Sequence, residues 1–447
     1  QLPALIISTA AGVVVTRVSS DMDLGRQIRD QFFIHPKAIG TAAGILLLLG
    51  LVPGLPQLPF LLLATLSGTA AYYISQGQRR AEEERQMVER EAPSAPAEEA
   101  IDPLEALAPI DLLELEVGYG LIPLVDVEQD GELLSRIRSV RRQIAQELGA
   151  MVPPLHIRDN LQLKPGEYSI LIKGVEVARG ELMLDHYLAM SPGETSGEIQ
   201  GIPTTEPAFG LPAYWIRAEE KEKAQFAGYT VVDLSTVIIT HLTEVIKQHI
   251  HELLSREDVQ KLLNRFAQDY PKVVEELVPA QLSLGGVQKV LQNLLREQIP
   301  IRDLLTILET LADYAPLIKD PLILTEYVRQ SLARVITKKW ATPEGELGAV
   351  ILAFEAEEKL SKAIQRTDHG SYLALDPTTT QRLIGELSKA VERWPVERYP
   401  VPILLTAPLI RPHVKRLIES FLPQLVVLSH NEILSTVRIN NLGVVRI

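Results

Sequence analysis

Residues 287–317 read "VQKVLQNLLREQIPIRDLLTILETLADYAPL". Apolar residues recur at helical spacing on both sides of the short segment "QIPIRD". This spacing predicts a pair of helices at 287–298 and 304–314. The stretch therefore predicts a helical region. The patterns on either side of it indicate which other helices and strands belong to the fold.

Upstream of this pair, a long amphipathic helix is predicted for residues 234–254, directly after Asp233. Ser255 and Asp258 have the spacing of a capping box, in which each side chain bonds the backbone of the other residue, so the next helix begins there. Three charged or polar residues thus mark two helix starts.

Two further helices are predicted from their end signals. Asp320 followed by Pro321 has the order of an N-cap and a first helical residue, and begins a helix that runs to about Lys339. Residues 132–148 place their apolar side chains on one face, and Gly149 ends that helix.

Strand patterns occur on both sides of the helical region. Residues 168–177 and 182–190 are predicted strands. Near the end of the chain, a strand at 401–406, a helix at 412–421 and a strand at 424–429 make one βαβ-like unit. The fold class is therefore an α+β multidomain body.

Composition narrows the function classes. The chain has 447 residues, a formal net charge of −13 and a pI near 5.3. Nucleic-acid binding needs concentrated Lys and Arg, so this function is disfavoured. The chain has no cysteine, which excludes disulfides and thiolate metal sites. The sequence begins at Gln1 inside an apolar run, and we expect a fragment of a longer protein.

A run without charge extends from residue 38 to 78 and is interrupted by "PGLPQLP". One spanning helix needs ~20 apolar residues, and proline cannot continue a helix, so the run predicts a transmembrane hairpin at 36–76, with helices at about 36–53 and 58–76. Arg and Lys flank its outer ends, which predicts cytoplasmic flanks. A buried hairpin of a globular domain is the alternative. Residues 1–35 are interpreted as a cytosolic loop segment, and the Pro/Ala/Glu-rich residues 77–111 as a linker.

Motifs for catalysis and cofactor binding are not found. The chain lacks a phosphate loop, a dinucleotide fingerprint and a nucleophile elbow. "HELLS" at 251–255 comes near to a zinc motif, but Ser255 stands where the second histidine ligand is needed. We therefore expect no enzyme activity, no cofactor, no catalytic residue and no metal site.

The stretch "TTEPAFGLPAYWI" (204–216) holds one carboxylate, Glu206, beside the aromatic Phe209 in a run with few charges. Two interpretations remain open from the residues alone. Phe209 is ordinary core and Glu206 a helix or turn cap, or the two residues form an apolar socket with a carboxylate at its rim, which suits a partner's anchor residue.

Several collinear stretches together resemble the FHIPEP family, the large export-gate subunit of type III secretion systems, and the flagellar branch most closely. They include "PALIISTAAGVVVTRVSSD" (3–21), "LELEVGYGLIPLVD" (113–126), "GELLSRIRSVRRQIAQELG" (131–149), "HIRDN" (156–160), "EPAFGLPAYWI" (206–216), residues 287–317 and "LPQLVVLS" (422–429). The family's signature loop is expected before Gln1.

The resemblance implies a multi-pass protein of the bacterial inner membrane with a large cytoplasmic C-terminal domain. It implies a homo-oligomeric, nonameric ring that receives export substrates with their chaperones and contacts other export-apparatus membrane and ATPase-complex proteins. It also implies four cytosolic subdomains, the second inserted into the first: 112–184 with 234–253, 185–233, 254–333 and 334–447.

The resemblance further implies that chaperone–substrate complexes dock between the first two subdomains. The matching positions are Pro192, Glu206, Phe209, Val232 and Thr240. The family pattern has Asp at position 206, so Glu206 keeps the charge with a reach that is longer by one methylene.

A second implied contact lies in the linker. The family carries a Trp there that docks on the neighbouring subunit, and the aligned residue is Leu104. The apolar character is kept on a smaller side chain, and Leu104 is expected to assist ring formation.

Three functions compete on this evidence. The first is a flagellar export-gate subunit, which "EPAFG" with Thr240 favours. The second is the virulence-type (injectisome) paralogue of the same architecture. The third is a membrane-anchored enzyme or ion carrier, which the motif search and the charge-free hairpin disfavour.

Overall fold

The computed structural model describes residues 110–125, 133–191, 197, 199–367 and 370–447, with scattered helical positions between 41 and 69. The chain forms two compact units, Gln1–Ala108 and Pro109–Ile447. Among the described residues, no helix combines the length and the apolar character needed to cross a bilayer. Residues 1–35, most of the predicted hairpin at 36–76 and the linker up to residue 109 lie outside the described residues.

The second unit begins with a sheet of four strands in the order β2-β1-β3-β4. Strand β1 pairs in parallel with β2 and antiparallel with β3. Strand β3 in turn pairs antiparallel with β4. The helix predicted at 132–148 is confirmed as α2, and Gly149 after it has φ +80°. The elements are β1 (Leu113–Val117), α1 (Ile122–Val125), α2 (Leu133–Leu148), β2 (His156–Asp159), β3 (Glu167–Ile172) and β4 (Val175–Glu181).

An antiparallel sheet in the order β6-β7-β5-β8 follows. A small apolar cluster of Ala189, Ile216 and Ala224 joins one face of this sheet to α3. Leu188 and Trp215 belong to the main core instead. The elements are β5 (His186–Met190), β6 (Ile202–Thr205), β7 (Pro212–Arg217), α3 (Lys221–Phe226) and β8 (Thr230–Val232).

The predicted strand at 168–177 is wrong in its extent. Lys173 and Gly174 both have positive φ, 52° and 75°, and form a two-residue turn between β3 and β4. Such a turn fits the twist of a hairpin and reverses the chain. The predicted strand at 182–190 is likewise shorter, because Asp185 also has a positive φ and β5 begins only after it.

A run of seven consecutive helices in the described chain comes directly after β8, and most of their predicted starts are confirmed. Asp233 accepts a hydrogen bond from the Thr236 N–H, and Ser255 with Asp258 forms the predicted capping box. The helices are α4 (Leu234–Leu253), α5 (Arg256–Phe266), α6 (Pro271–Leu277), α7 (Leu284–Arg296), α8 (Leu304–Tyr314), α9 (Pro321–Ser331) and α10 (Ala333–Trp340).

The helix predicted from Asp320 to about Lys339 starts as expected but breaks at Leu332. No Gly or Pro lies at the break. On either side of the break, Arg329 donates to the Glu432 carboxylate and the Thr337 hydroxyl donates to the Glu432 carbonyl, so both helices bond to the same distant residue.

The last sheet has four parallel strands in the order β13-β12-β9-β14. The predicted βαβ unit is confirmed as β12-α13-β13. The elements are β9 (Glu346–Leu352), α11 (Phe354–Lys362), β10 (Ile364–Thr367), β11 (Gly370–Leu373), α12 (Pro377–Glu392), β12 (Ile403–Thr406), α13 (Arg411–Ile418), β13 (Val426–Ser429) and β14 (Arg438–Val445). One apolar core runs from Leu113 to Val445 and includes all three four-stranded sheets and the helices between them, while β10 and β11 form a separate two-stranded antiparallel sheet.

We expect Gly149→Ala to destabilise the protein by about 1–3 kcal/mol, since a non-glycine residue at positive φ is strained. A Cβ there would also lie 2.7 Å from the Arg302 backbone nitrogen. Gly385 in α12 is the matched control, because a Cβ there meets open space. Gly385→Ala should stabilise the helix by about 0.5–1 kcal/mol. Urea unfolding of both variants measures the difference, and equal stabilities would contradict the account of Gly149.

Candidate functional site

The loop from 206 to 211 joins β6 to β7 and carries two of the predicted site residues. The N–H of Glu206 donates to the Leu211 carbonyl at 2.8 Å, and the N–H of Gly210 donates to the Glu206 carbonyl at 3.0 Å. Gly210 has φ +70°, a conformation that favours glycine. The backbone of this docking loop, as we call residues 206–211, is therefore closed on itself.

The side chain of Glu206 is buried, with 2% of the residue exposed. Its Oε1 accepts from the Ala208 N–H at 2.9 Å, and its Oε2 accepts from the Phe209 N–H at 2.7 Å. Both carboxylate oxygens are used inside the loop. Glu206 thus acts as a turn cap, which was one of the two interpretations left open by the sequence.

Phe209 itself does not lie in the core. The residue is 59% exposed, and Leu211 of the same loop is 48% exposed. Glu206 bonds the backbone N–H of Phe209, so the backbone that carries the aromatic ring is held while the ring faces solvent. An apolar side chain held out in this way suits an anchor for a binding partner.

The strand pairing sets where the docking loop lies on its sheet. Thr205 pairs with Pro212, and Met190 pairs with both Ala213 and Thr230. The ends of β5, β6 and the starts of β7 and β8 therefore meet at one end of the sheet, and the docking loop leaves from that end.

Val232 and Thr240 are both partly buried. Val232 ends β8, pairs with Leu188 and packs against the main core. Thr240 lies on α4, where its hydroxyl donates to the Thr236 carbonyl at 2.8 Å. Helix α4 packs against β5 of the same sheet. Pro192 and Leu104 lie outside the described residues.

A buried polar pair connects the first sheet to α4 close to Glu206. The Tyr168 hydroxyl and His241 Nδ1 share a hydrogen bond of 2.9 Å, and both residues are buried. Burial raises the pKa of Tyr168 well above its usual range, and the negative charge of Glu206 adds to this. Glu206 is therefore within electrostatic reach of α4 at the residue beside Thr240.

Burial lowers the pKa of His241, and the charge of Glu206 opposes this without cancelling it. The unfolded chain therefore binds a proton at His241 at a higher pH than the folded chain does. Stability contributed by this site is present at neutral pH and is lost as the pH falls below about 6.5, the unfolded pKa.

We expect His241→Gln to weaken the loss of stability between pH 7 and pH 5. Gln keeps a group that can bond Tyr168 but does not titrate. Urea unfolding at several pH values measures this slope, with His430→Gln at an exposed position as the control. An unchanged slope in His241→Gln would show that His241 titrates alike in the folded and unfolded chain.

Sequence patterns missed a buried group of charges, which we call the ion cluster: Glu297, Glu326, Arg329, Arg411 and Glu432. Arg329, Arg411 and Glu432 are each 1% exposed. The five members lie on α9, on α13 and in the turns after α7 and β13, so no short sequence motif contains them. Arg411 between apolar residues in "PLIRPHV" was the available signal.

Comparison with known proteins gives evidence on the family of this chain that does not depend on the structure. The sequence profile of the FHIPEP family matches residues 1–438. The flagellar biosynthesis protein FlhA of Bacillus subtilis is 45% identical over 100% of this chain and 66% of its own length. The chain spans 61–66% of the length of the first curated relatives that it matches.

Two solved structures share the fold. In the complex of Chlamydia pneumoniae CdsV with CdsO, the similar chain is 30% identical, with a TM-score of 0.69 over 76% of this chain and 99% of that chain. The nonameric SctV-C of enteropathogenic Escherichia coli is 25% identical, with a TM-score of 0.63 over 76% of this chain and 100% of its own.

Proposed function

Because the chain belongs to the FHIPEP family, we propose that it serves as the export-gate subunit of the flagellar type III protein export apparatus. In this role the body from Pro109 onward docks chaperone–substrate complexes and hands the substrates to the membrane gate. The observation that carries the docking role is the exposed ring of Phe209 on a loop that the buried Glu206 holds in place.

We propose that the docking surface consists of Phe209 and Thr240 with Val232 and Pro192. Glu206 supports this surface from below and does not offer its carboxylate to the partner, because both its oxygens already accept backbone hydrogen bonds. A partner with an apolar anchor and a polar neighbour fits a surface that offers an exposed aromatic ring and a threonine.

The larger architecture is part of the same proposal. The hairpin at 36–76 anchors the chain in the bacterial inner membrane, and the body faces the cytoplasm in four subdomains with the bounds predicted above. The proposal includes a nonameric ring and contact with export-apparatus membrane and ATPase-complex proteins. SctV-C is nonameric, which supports the ring, and CdsV forms a complex with CdsO, which supports a partner protein.

The flagellar role is favoured over the injectisome role by sequence identity. Identity is 45% over the whole chain to one relative named as a flagellar biosynthesis protein, and 45% over 97% of the chain to a second. Isothermal titration of the full chain with a flagellar chaperone–substrate complex and with an injectisome complex tests this. Binding of the flagellar complex alone supports the proposal, and binding of the injectisome complex alone overturns it.

We expect Leu104→Asp to weaken ring assembly, because the linker then loses the apolar anchor that the family resemblance assigns to it. Mass photometry of the membrane-reconstituted chain measures the distribution of assemblies. Leu161→Asp, a change at an exposed leucine of the first sheet's loop, is the control. Equal assembly of both variants and the wild type would remove Leu104 from the ring contact.

A further inference from the structure

A cavity of about 440 Å³ lies between α9 and the segments that follow β12 and β13. Its walls include Leu322 and Ile323 from α9, Leu409 from the loop before α13, and Pro412 from the first turn of α13. Its volume is within the range of sites that bind small molecules or short peptide segments. The cavity shares no lining residue with the docking loop.

The position of this cavity in the fold is one where ligands commonly bind. Strands β12 and β13 run parallel, so their carboxyl ends meet at one edge of the sheet. Pro408 and Leu409 follow β12, and Asn431 follows β13, and these residues line the cavity. In open parallel sheets, ligands bind in the crevice outside the carboxyl ends of the strands.

The apolar part of the lining is only partly covered. Leu409 is 52% exposed although its neighbours Ile410 and Arg411 are buried to about 1%. Leu322 and Ile323, which are partly buried, present further apolar surface around it. An aliphatic or aromatic side chain placed there would remove this surface from water, which is favourable.

The charged group that the lining offers to a ligand is the Arg366 guanidinium, although the Asp320 carboxylate, which is not part of the lining, acts on His413. Glu326 lines the cavity, but its carboxylate accepts two hydrogen bonds from the Arg411 guanidinium, one of them at 2.6 Å. Arg366 also lines the cavity, is exposed, and forms no ion pair with another described residue. Burial lowers the pKa of His413, and Arg416 adds to this, so His413 is uncharged at neutral pH.

The exposed amides of Gln330 and Asn431 complete the rim. A side-chain amide can donate to a backbone carbonyl and accept from a backbone N–H. A peptide backbone therefore finds matching groups at the rim, with apolar surface below it and one guanidinium beside it.

We propose that this cavity binds a short segment of a partner protein that carries an aliphatic or aromatic side chain next to an acidic residue. The apolar side chain packs against Leu322, Leu409 and Pro412, and the carboxylate pairs with Arg366. Helix α9 forms one wall and also carries Glu326 and Arg329 of the ion cluster. The occupant thus contacts a helix that the ion cluster bonds to α13 and to the turn after β13. This proposal does not depend on the docking loop.

Fluorescence anisotropy with the full chain and labelled heptapeptides tests the proposal. The probe is Gly-Ser-Leu-Leu-Glu-Ser-Gly, compared with one peptide that has Lys in place of Glu and one that has Ala in place of both Leu. The Leu-Leu-Glu peptide should bind about fivefold or more tighter than the Lys peptide, as expected for one ion pair at a partly desolvated site. The Ala peptide should not bind measurably.

Two variants assign the contacts. Leu409→Asp should weaken the Leu-Leu-Glu peptide by at least about tenfold, since it puts a charge on the apolar wall. Leu161→Asp is the matched control and should bind as the wild type does. Arg366→Ser should remove the preference for Glu over Lys and keep the need for leucine.

The outcomes that overturn the proposal are equally specific. Absence of binding by the wild-type chain rejects this class of ligand. Tighter binding of the Lys peptide rejects the acidic partner. Equal binding by the wild type, Leu409→Asp and Leu161→Asp moves the peptide to another surface. Circular dichroism of each variant separates lost binding from lost folding.

Discussion

Replacing Arg411 by methionine is expected to lower the free energy of unfolding by about 3–5 kcal/mol, the usual cost of leaving a buried charge without its partner. Arg411 donates from Nη1 and Nη2 to Glu297 at 2.8 and 3.0 Å, and from Nε to Glu326 at 2.6 Å. Methionine fills similar space but leaves both carboxylates without these donors. Thermal or urea unfolding of the full chain measures the loss.

The ion cluster explains why this expected loss is large. Arg329 joins the same group, donating to Glu297 at 3.0 Å and to Glu432 at 2.6 Å. Burial acts to raise the pKa of Glu297, but Arg329 and Arg411 outweigh it and lower the pKa to about 2. Stability from Glu297 is therefore present above its unfolded pKa and is lost as the pH falls toward 2.

Two control variants distinguish the loss of stability on breaking the ion cluster from the loss on removing any single charge. Arg411→Lys keeps one positive charge and loses the planar fork that bonds two carboxylates, so its loss should lie between wild type and Arg411→Met. Lys389→Met removes a surface ion pair with Glu386 and should change stability little. A loss in Arg411→Met no greater than that in Lys389→Met would contradict the structural role of the ion cluster.

The second large effect concerns binding. Phe209→Ala is expected to weaken docking of a flagellar chaperone–substrate complex by about 2 kcal/mol or more, or about thirtyfold, as for an aromatic anchor at the centre of an interface. The ring is exposed in the free chain, so its removal should cost little stability. Isothermal titration and urea unfolding of the same variant measure the two effects separately.

Phe226→Ala is the matched control for this experiment. Phe226 ends α3 on the same sheet and is 90% exposed, so it is an equally accessible aromatic outside the docking loop. Binding should be unchanged in Phe226→Ala. Equal weakening of both variants would indicate a general loss of apolar surface, and unchanged binding in Phe209→Ala would move the docking site elsewhere.

The features that sequence patterns predicted well are local ones. Asp233, Ser255 and Asp320 each cap a helix through a bond to a backbone N–H two or three residues away. Such bonds depend on neighbouring residues only, so spacing reveals them. The strand–helix–strand order of the last sheet was also readable, because each strand is a short apolar run between turn signals.

The features that were missed depend on distant residues. The break at Leu332 has no Gly or Pro beside it, and the residues that flank it, Arg329 and Thr337, both bond to Glu432, about a hundred residues further on. The ion cluster likewise joins residues that are far apart in the chain. Glu206 is an intermediate case, because the sequence left two interpretations open and a turn cap was one of them. The hydrogen bonds from the Ala208 and Phe209 N–H groups to its carboxylate identify it as a turn cap.

Hydrogen exchange of the full chain, alone and with a flagellar chaperone–substrate complex, tests the central claim most directly. Exchange at backbone amides reports local protection, so no variant is needed. The account predicts slower exchange in the complex at residues 206–211 and on α4 around Thr240. Protection confined to other surfaces, with these residues exchanging as in the free chain, would contradict it.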